Sequence, residues 1–243
     1  MTAGGTKLIT TDFILRNTEA ISPPLIPELT LHLATEATTL WQATETELEQ
    51  NGLPPPYWAF PWAGGQAVAR YVIDNAPLVA GKRILDVGAG SGMVGLAALW
   101  ASAATVIAND TDPTASTAIA LNAETNGLQA GLTIAIRDML DEPAMAEDGG
   151  PLYDTVLAGD ICYERSMADR MLKWLQRHAD AGALVLLGDP GRTYRPTGGI
   201  ALCARYDVPV SLEIEDSEIR QTAVWRLTGS AEAAAAASTP VPR

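Results

Sequence analysis

Five aspartates, Asp86, Asp110, Asp138, Asp160 and Asp189, each stand at or just past the end of a short apolar run. Gly88, Gly90 and Gly92 follow the first of them at every second position. A carboxylate so placed can attract an ammonium group, accept from ribose hydroxyls or orient an amine nucleophile. Alternating glycines let the backbone bend sharply and let a ligand lie against bare main chain. The helix start beyond them offers unpaired N–H groups.

The spacing narrows the ligand. A dinucleotide fingerprint reads G-x-G-x-x-G, with its third glycine where Met93 stands here. This chain reads G-x-G-x-G, with Asp86 two residues ahead of Gly88. A carboxylate there would repel a pyrophosphate and attract an amino-acid ammonium. The pattern therefore suits S-adenosylmethionine better than NAD, with an ordinary strand-to-helix turn as the bland alternative for this fragment alone.

The elements that carry these residues alternate. Ile84-Leu85 runs into Asp86 as a strand, and Met93 to Trp100 follows as a helix. Thr105 to Ala108 is a second strand ending in Asn109-Asp110. Asp112-Pro113 supplies an N-cap and an N1 proline to a helix over Thr114 to Asn126, so Asp112 reads as structural and Asp110 as functional. Leu132 to Ile136 is a third strand, with Asp138 just beyond it, where the acid can either accept from an exocyclic adenine amine or stand as a solvated loop acid. Asp154 to Ala158 is a fourth strand, ending in Gly159-Asp160-Ile161-Cys162-Tyr163. Arg165 to Ala179 is a helix with Met167, Met171, Leu172 and Leu175 on one face. Ala183 to Leu187 is a fifth strand, and Gly188-Asp189-Pro190-Gly191-Arg192 follows it. Ile200 to Arg205 reads as helical, and Val208 to Ile214 and Ala223 to Leu227 as two closing strands.

Upstream, Thr10 to Arg16 reads as a short helix, and Leu29, Leu31 and Leu33 as a strand or extended segment. Residues 54–66 gather prolines, Tyr57, Trp58, Phe60, Trp62 and two glycines before a helix over Gln66 to Asp74. Such aromatics wall in a flat ligand or plug the core under a sheet. Residues 1–53 are expected to be an N-terminal extension, 54–228 the main domain and 229–243 a disordered tail.

Strands alternating with helices predict βαβ units and an α/β, Rossmann-like, mostly parallel sheet with helices on both faces. Ligands then bind at the carboxyl ends of the strands, where the five aspartates predict an acidic rim around one cleft.

Bulk properties agree with a globular protein. The chain has 243 residues, enough for a full core. Its net charge of −13 disfavours a nucleic-acid partner. Cys162 and Cys203 make no C-x-x-C motif and read as free thiols of a reducing compartment. No membrane span or signal peptide is evident, so a cytoplasmic location is expected. His32 and His178 fall in no motif, so neither a histidine base nor a metal is predicted.

The chain resembles the seven-stranded class I methyltransferases, and more narrowly the lysine methyltransferases that modify the β-subunit of electron transfer flavoprotein. The resemblance rests on P-P-Y-W-A-F-P-W-A-G-G-Q at 55–66, L-D-V-G-A-G-S-G at 85–92, A-N-D-T-D-P at 108–113, G-D-I-C-Y at 159–163 and G-D-P-G-R at 188–192. Cys162 and Pro61 depart from the family, which more often has aromatics there. The resemblance implies S-adenosylmethionine as donor, S-adenosylhomocysteine as product and a protein lysine of the flavoprotein β-subunit as acceptor; a monomer is expected separately. It places Asp86, Gly88 and Gly90 at the methionine end, Asp110 at the ribose, Asp138 by the adenine and Trp62 near the cofactor. Asp160 and Tyr163 fall where the methyl is transferred.

An aromatic, acid-lined channel can take up an ammonium ion by charge and by cation–π contact with Tyr163 or Trp58, and burial then favours the free amine. Asp160 is the candidate for orienting that amine, or for accepting a proton. Its structural alternative is a helix N-cap for the segment after Tyr163. Rival functions are a small-molecule N-methyltransferase, a non-catalytic module binding S-adenosylmethionine and a nucleic-acid amino-methyltransferase. The last usually carries D/N-P-P-Y where this chain has Asp160-Ile161-Cys162-Tyr163.

Overall fold

A computed structural model describes residues 10–35, 40, 55–211 and 217–230. In chain order the elements are α1 Thr11–Asn17, β1 Glu19–Ile21, β2 Leu31–Leu33, α2 Ala63–Asp74, β3 Arg83–Val87, α3 Met93–Trp100 and β4 Thr105–Asp110. They continue with α4 Pro113–Asn126, β5 Leu132–Ile136, β6 Thr155–Gly159, α5 Arg165–Asp180, β7 Leu184–Asp189, β8 Ile200–Pro209 and β9 Ile219–Leu227.

β3 to β9 form one seven-stranded sheet in the order β5-β4-β3-β6-β7-β9-β8. The first five strands of that order pair in parallel, and β9 runs antiparallel to both β7 and β8. The chain starts at β3, winds outward to β5 and returns to β6 on the other side of β3. A reversal of this kind opens a crevice between the central strands at their carboxyl ends.

The central strands are buried on both faces, and successive side chains point alternately into two core clusters. Ile84, Leu157 and Leu186 join one core cluster with Val68 and Val72 of α2 and Leu96 of α3. Their neighbours Leu85, Val156 and Val185 join a second cluster with Met171, Trp174 and Leu175 of α5. Helices thus cover both faces of the sheet. Leu29, Leu31 and Leu33 are fully buried in the first cluster, so the short β1–β2 pair is stitched to the main core. Side-chain amides complete the seam: Asn122 Oδ1 accepts from His32 N at 2.7 Å, and Asn126 Oδ1 from Thr30 N at 2.9 Å.

Two expectations need correction. Residues 200–205 are a strand, not a helix, because they form the first part of β8. Ile200 to Pro209 pair along β9 from Leu227 to Ile219, with an irregularity between Leu202 and Ala204. A short apolar run without Gly or Pro fits either period, and here the open edge of β9 decides. Helix α2 also starts at Ala63, three residues before Gln66. Gly64 and Gly65 look like helix breakers, but they permit contact with the sheet: a Cβ on Gly64 would sit 2.6 Å from Asp160 N. Val208 and Pro209 belong to β8, whereas Ile214 and the alanine-rich tail lie outside the described residues. Among the described residues no helix is long and apolar enough to cross a membrane.

Candidate functional site

A cavity of about 680 Å³ lies at the carboxyl edge of the parallel strands. Its floor comes from the ends of β3 to β6, and its walls from the aromatic segment before α2 and the first turns of α5.

At β3 the backbone turns through Gly88 at φ +67°, Gly90 at +52° and Gly92 at +81°. L-residues with side chains rarely adopt this region, which is why the turn needs glycine. Asp110 fixes the turn from the neighbouring strand: Oδ2 accepts from Gly90 N at 2.8 Å. Its Oδ1 accepts from Thr111 N and Asp112 N at 2.7 and 2.9 Å. Asp110 therefore lines the cavity with its charge oriented wholly by main-chain donors. Asp112 caps α4, accepting from Thr114 N at 2.8 Å, as the Asp-Pro pair predicts.

Asp138 also lines the cavity, near Met139 and Leu140. Its carboxylate accepts from Leu140 N at 2.9 Å and pairs with Arg170 at 3.1 Å. The Leu140 amide, and then Arg170, hold its pKa below the ordinary carboxylate value.

Asp86 and Asp189 are not part of the rim. Asp86 is 1% exposed and absent from the cavity wall. It points beneath the glycine turn and accepts from Gly95 N at 2.8 Å. The acid is an internal β3 residue, aligned with Ala108 and Leu157 on its two neighbours, so its side chain faces α3 rather than the crevice. Burial pushes its pKa up to about 7, with the Gly95 amide opposing and Asp110 adding to the rise. Asp189 is equally buried and organises the turn after β7, accepting from Gly191 N at 2.7 Å and Arg192 N at 2.8 Å. Three of the five aspartates therefore face the cavity.

Asp160 has the most constrained setting. It is a non-glycine residue at φ +59°, just past β6. Its own N–H donates to Gly188 O at 2.9 Å. The side chain is 4% exposed and accepts from Gly64 N at 3.1 Å. Arg192 grips it with both prongs: Nε donates to Oδ1 at 2.6 Å and Nη2 to Oδ2 at 3.1 Å. The N-cap of α5 is Glu164, so Asp160 does not serve as that cap.

Tyr163 and Trp62 line the same cavity. The Tyr163 ring lies 5.7 Å from that of Tyr57, and Tyr57 lies 6.1 Å from Trp62. Trp62 Nε1 donates to Tyr57 O at 2.9 Å, which fixes the indole. Trp58 is buried and packs behind the glycine turn. Desolvation, with Tyr57 and nearby acids, pushes the Tyr163 phenol up to about 12. It is therefore neutral near pH 7, a hydrogen-bond donor rather than a base. Among the described residues no metal-binding group of His, Cys, Asp and Glu forms. His178 is fully buried against Trp174, outside the cavity wall.

The sequence assigns no individual role to two charged lining residues, Arg170 and Arg192. A signal existed for Arg192, which stands three residues past a strand-ending acid and two past a proline. Nothing local marks Arg170, whose partner Asp138 is 32 positions away.

Known proteins match this layout. A family model of the ribosomal protein L11 methyltransferases (PrmA) matches residues 71–161. The electron transfer flavoprotein β-subunit lysine methyltransferase of Danio rerio is 38% identical over 221 residues, covering 88% of this chain and 82% of the relative. The Xenopus laevis protein of the same name is 36% identical over 218 residues, covering 88% and 85%. The human protein of that name is 36% identical over 222 residues, covering 88% and 80%. The chain belongs to the electron transfer flavoprotein β-subunit lysine methyltransferase family. The resemblance carried by five short segments thus extends over most of this methyltransferase. The matched part includes both halves of the cavity, from the glycine turn to the Asp160–Arg192 pair.

Proposed function

We propose that this methyltransferase transfers methyl groups from S-adenosylmethionine to lysine side chains of the electron transfer flavoprotein β-subunit. The observation that carries the reading is its 36–38% identity, over 88% of the chain, to proteins named for that activity. The cavity supports it.

The residues present fit the donor. A volume of about 680 Å³ lies within the roughly 300–1,000 Å³ of small-molecule sites. Gly88 and Gly90 would hold the methionine end against bare main chain, Asp110 would accept from the ribose hydroxyls, and Asp138 lies where an adenine amine would find an acceptor. Trp58, Trp62, Met139 and Leu140 also line the cavity and offer apolar surface to an adenine ring. Asp86 acts at one remove, by holding Gly95 and so the start of α3 beneath the turn.

When bound, the donor supplies an electrophilic methyl: the lysine Nζ lone pair forms the N–C bond, the C–S pair returns to sulfur and S-adenosylhomocysteine leaves. The protein's part is to position the amine, exclude water and admit the amine in its neutral form, against an ordinary pKa of about 10.4. Asp160 faces the cavity as a fixed acceptor for an amine N–H. Tyr163, Tyr57 and Trp62 form an aromatic mouth that can hold the lysine stem and its ammonium before the proton leaves to water.

A monomeric, cytoplasmic setting with a protein partner, and with neither nucleic acid nor membrane, completes the reading. The net charge of −13 and the two free thiols support it. The test is direct. Purified flavoprotein β-subunit incubated with the enzyme and S-adenosylmethionine should gain whole methyl increments on lysines by mass spectrometry. An unmodified β-subunit, with label passing only into small molecules of a lysate, would refute it.

A further inference from the structure

We propose that Arg192 is a positioning residue that keeps the acceptor lysine in its free-amine form. The inference rests on the lysine-methylation reading above. A carboxylate alone at the acceptor end would stabilise a bound ammonium and so hinder methyl transfer, because an ammonium has no lone pair to offer. Here the carboxylate of Asp160 never stands alone. Arg192 holds it bidentately at 2.6 and 3.1 Å, and Gly64 N adds a third donor at 3.1 Å. The pair is close to electroneutral, yet a carboxylate oxygen can still accept one amine N–H. An amine that docks beside it also meets a guanidinium within a few ångströms, and a fixed cation at that range lowers the pKa of a neighbouring ammonium.

The pair is built to stay closed. Asp160 is pinned at φ +59° by its N–H to Gly188 O and by the close approach of Gly64. Arg192 is presented by a turn whose Gly191 and Arg192 amides both donate to buried Asp189. Other charged groups face the same corner. Asp189 is offset by Arg195 Nε at 3.8 Å. The Cys162 thiol and Tyr163 phenol, both pushed up to about 12, are neutral. Asp110, Glu164 and Asp160 itself also raise the Tyr163 phenol, so their negative field reaches this end of the cavity. Arg192 is thus the positive group set directly on the acceptor carboxylate. The lysine arrives as an ammonium at the aromatic mouth, the Asp160–Arg192 pair disfavours that form beside the carboxylate, and the proton passes to water.

Removing the charge should move a pH profile. In Arg192→Met, the acidic limb of kcat against pH should shift upward by about one unit. The loss of kcat should be about tenfold at pH 7.5 and shrink towards pH 10. Arg192→Lys keeps the cation without the fork, so its kcat falls while the limb stays near the wild-type position. S-adenosylmethionine affinity by calorimetry should be within about threefold of wild type in both. An unshifted limb in Arg192→Met overturns the inference, as does a lowered KM with an unchanged limb, the mark of a plug that lysine displaces. If the Met variant does not fold, an upward-shifted limb in Arg192→Lys overturns it and an unmoved limb with reduced kcat supports it. Wild-type enzyme that leaves the β-subunit unmodified refutes the underlying function and this inference together, a result distinct from an active wild type with unmoved limbs.

Discussion

Asp110 and Asp160 end neighbouring parts of the same sheet edge, but the two halves of the cavity use the same residue type in opposite ways. On the β3–β4 side, Asp110 receives only main-chain amides from the glycine turn and its own loop. On the β6–β7 side, Asp160 is buried, backbone-strained and gripped by a guanidinium. The first arrangement leaves a net negative charge, which suits the proposed contact with ribose hydroxyls. The second leaves a nearly neutral pair, which suits the proposed docking of an amine that must keep its lone pair. A row of aspartates at strand ends therefore does not form one acidic rim; each partner decides what its carboxylate can do.

The largest effect should follow from breaking the second half. Asp160→Ala removes the amine acceptor and leaves Arg192 unbalanced, so turnover should fall by about a thousandfold or more, roughly 4 kcal/mol of lost transition-state stabilisation. S-adenosylmethionine binding should be nearly intact, because its candidate contacts lie on the other side. Single-turnover rates and calorimetry on one preparation separate the two; methylation at the wild-type rate rejects the role of Asp160. The mirror experiment is Asp110→Ala. It should weaken S-adenosylmethionine by about 30- to 100-fold, or 2–3 kcal/mol, since it removes a charged acceptor and also unlatches Gly90. With the donor saturating, kcat should recover to within several-fold of wild type. A variant that binds normally but does not turn over would invert the assignment of the halves.

Much of this division was open to reading from the sequence. Alternating apolar runs and helices determine a doubly wound sheet, and Asp112-Pro113 marks the start of α4. Residues 159–163 and 188–192 stand out as short, distinctive segments after strands. What the sequence did not reveal is direction. A one-residue difference in register decides whether an acid at a strand end faces the crevice or the helix layer, and so Asp86 turned under the loop. Pairing across the fold is equally hidden: Asp160 and Arg192 are 32 positions apart and meet only because β6 and β7 are adjacent. Residues 200–205 look helical by composition, and it is the pairing with β9 that makes them part of strand β8.

The position of Asp86 has a measurable signature. Its ordinary pKa of 3.8 is raised to about 7 by burial. Between these values the folded chain binds more protons than the unfolded one, so stability falls as pH rises from about 4 to 7 and stays reduced above. A shift of that size corresponds to at most about 4 kcal/mol, and relaxation around the carboxylate brings the expected effect nearer 2 kcal/mol. Asp86→Asn, whose amide oxygen can still accept from Gly95 N, should remove that fall. Urea unfolding at pH 5.5 and pH 8 in both proteins tests it. Parallel losses with rising pH would show that Asp86 is not the group responsible.

The smallest effect is expected at Asp138, and it sharpens the contrast with Asp110. Both acids line the cavity, but the Asp138 side chain is 49% exposed and its ion pair with Arg170 is half in solvent. Exposed pairs of this kind contribute about 0–1 kcal/mol, because water screens the charges and two long side chains must be held still. An Asn at this position keeps an acceptor for Leu140 N and for an adenine amine, losing only the charge. Asp138→Asn should therefore change S-adenosylmethionine affinity by less than about threefold, against the 30-fold or more of Asp110→Ala. Equal losses in the two variants would mean that the donor is held by overall negative charge, and that the fixed geometry of the Asp110 carboxylate confers no advantage.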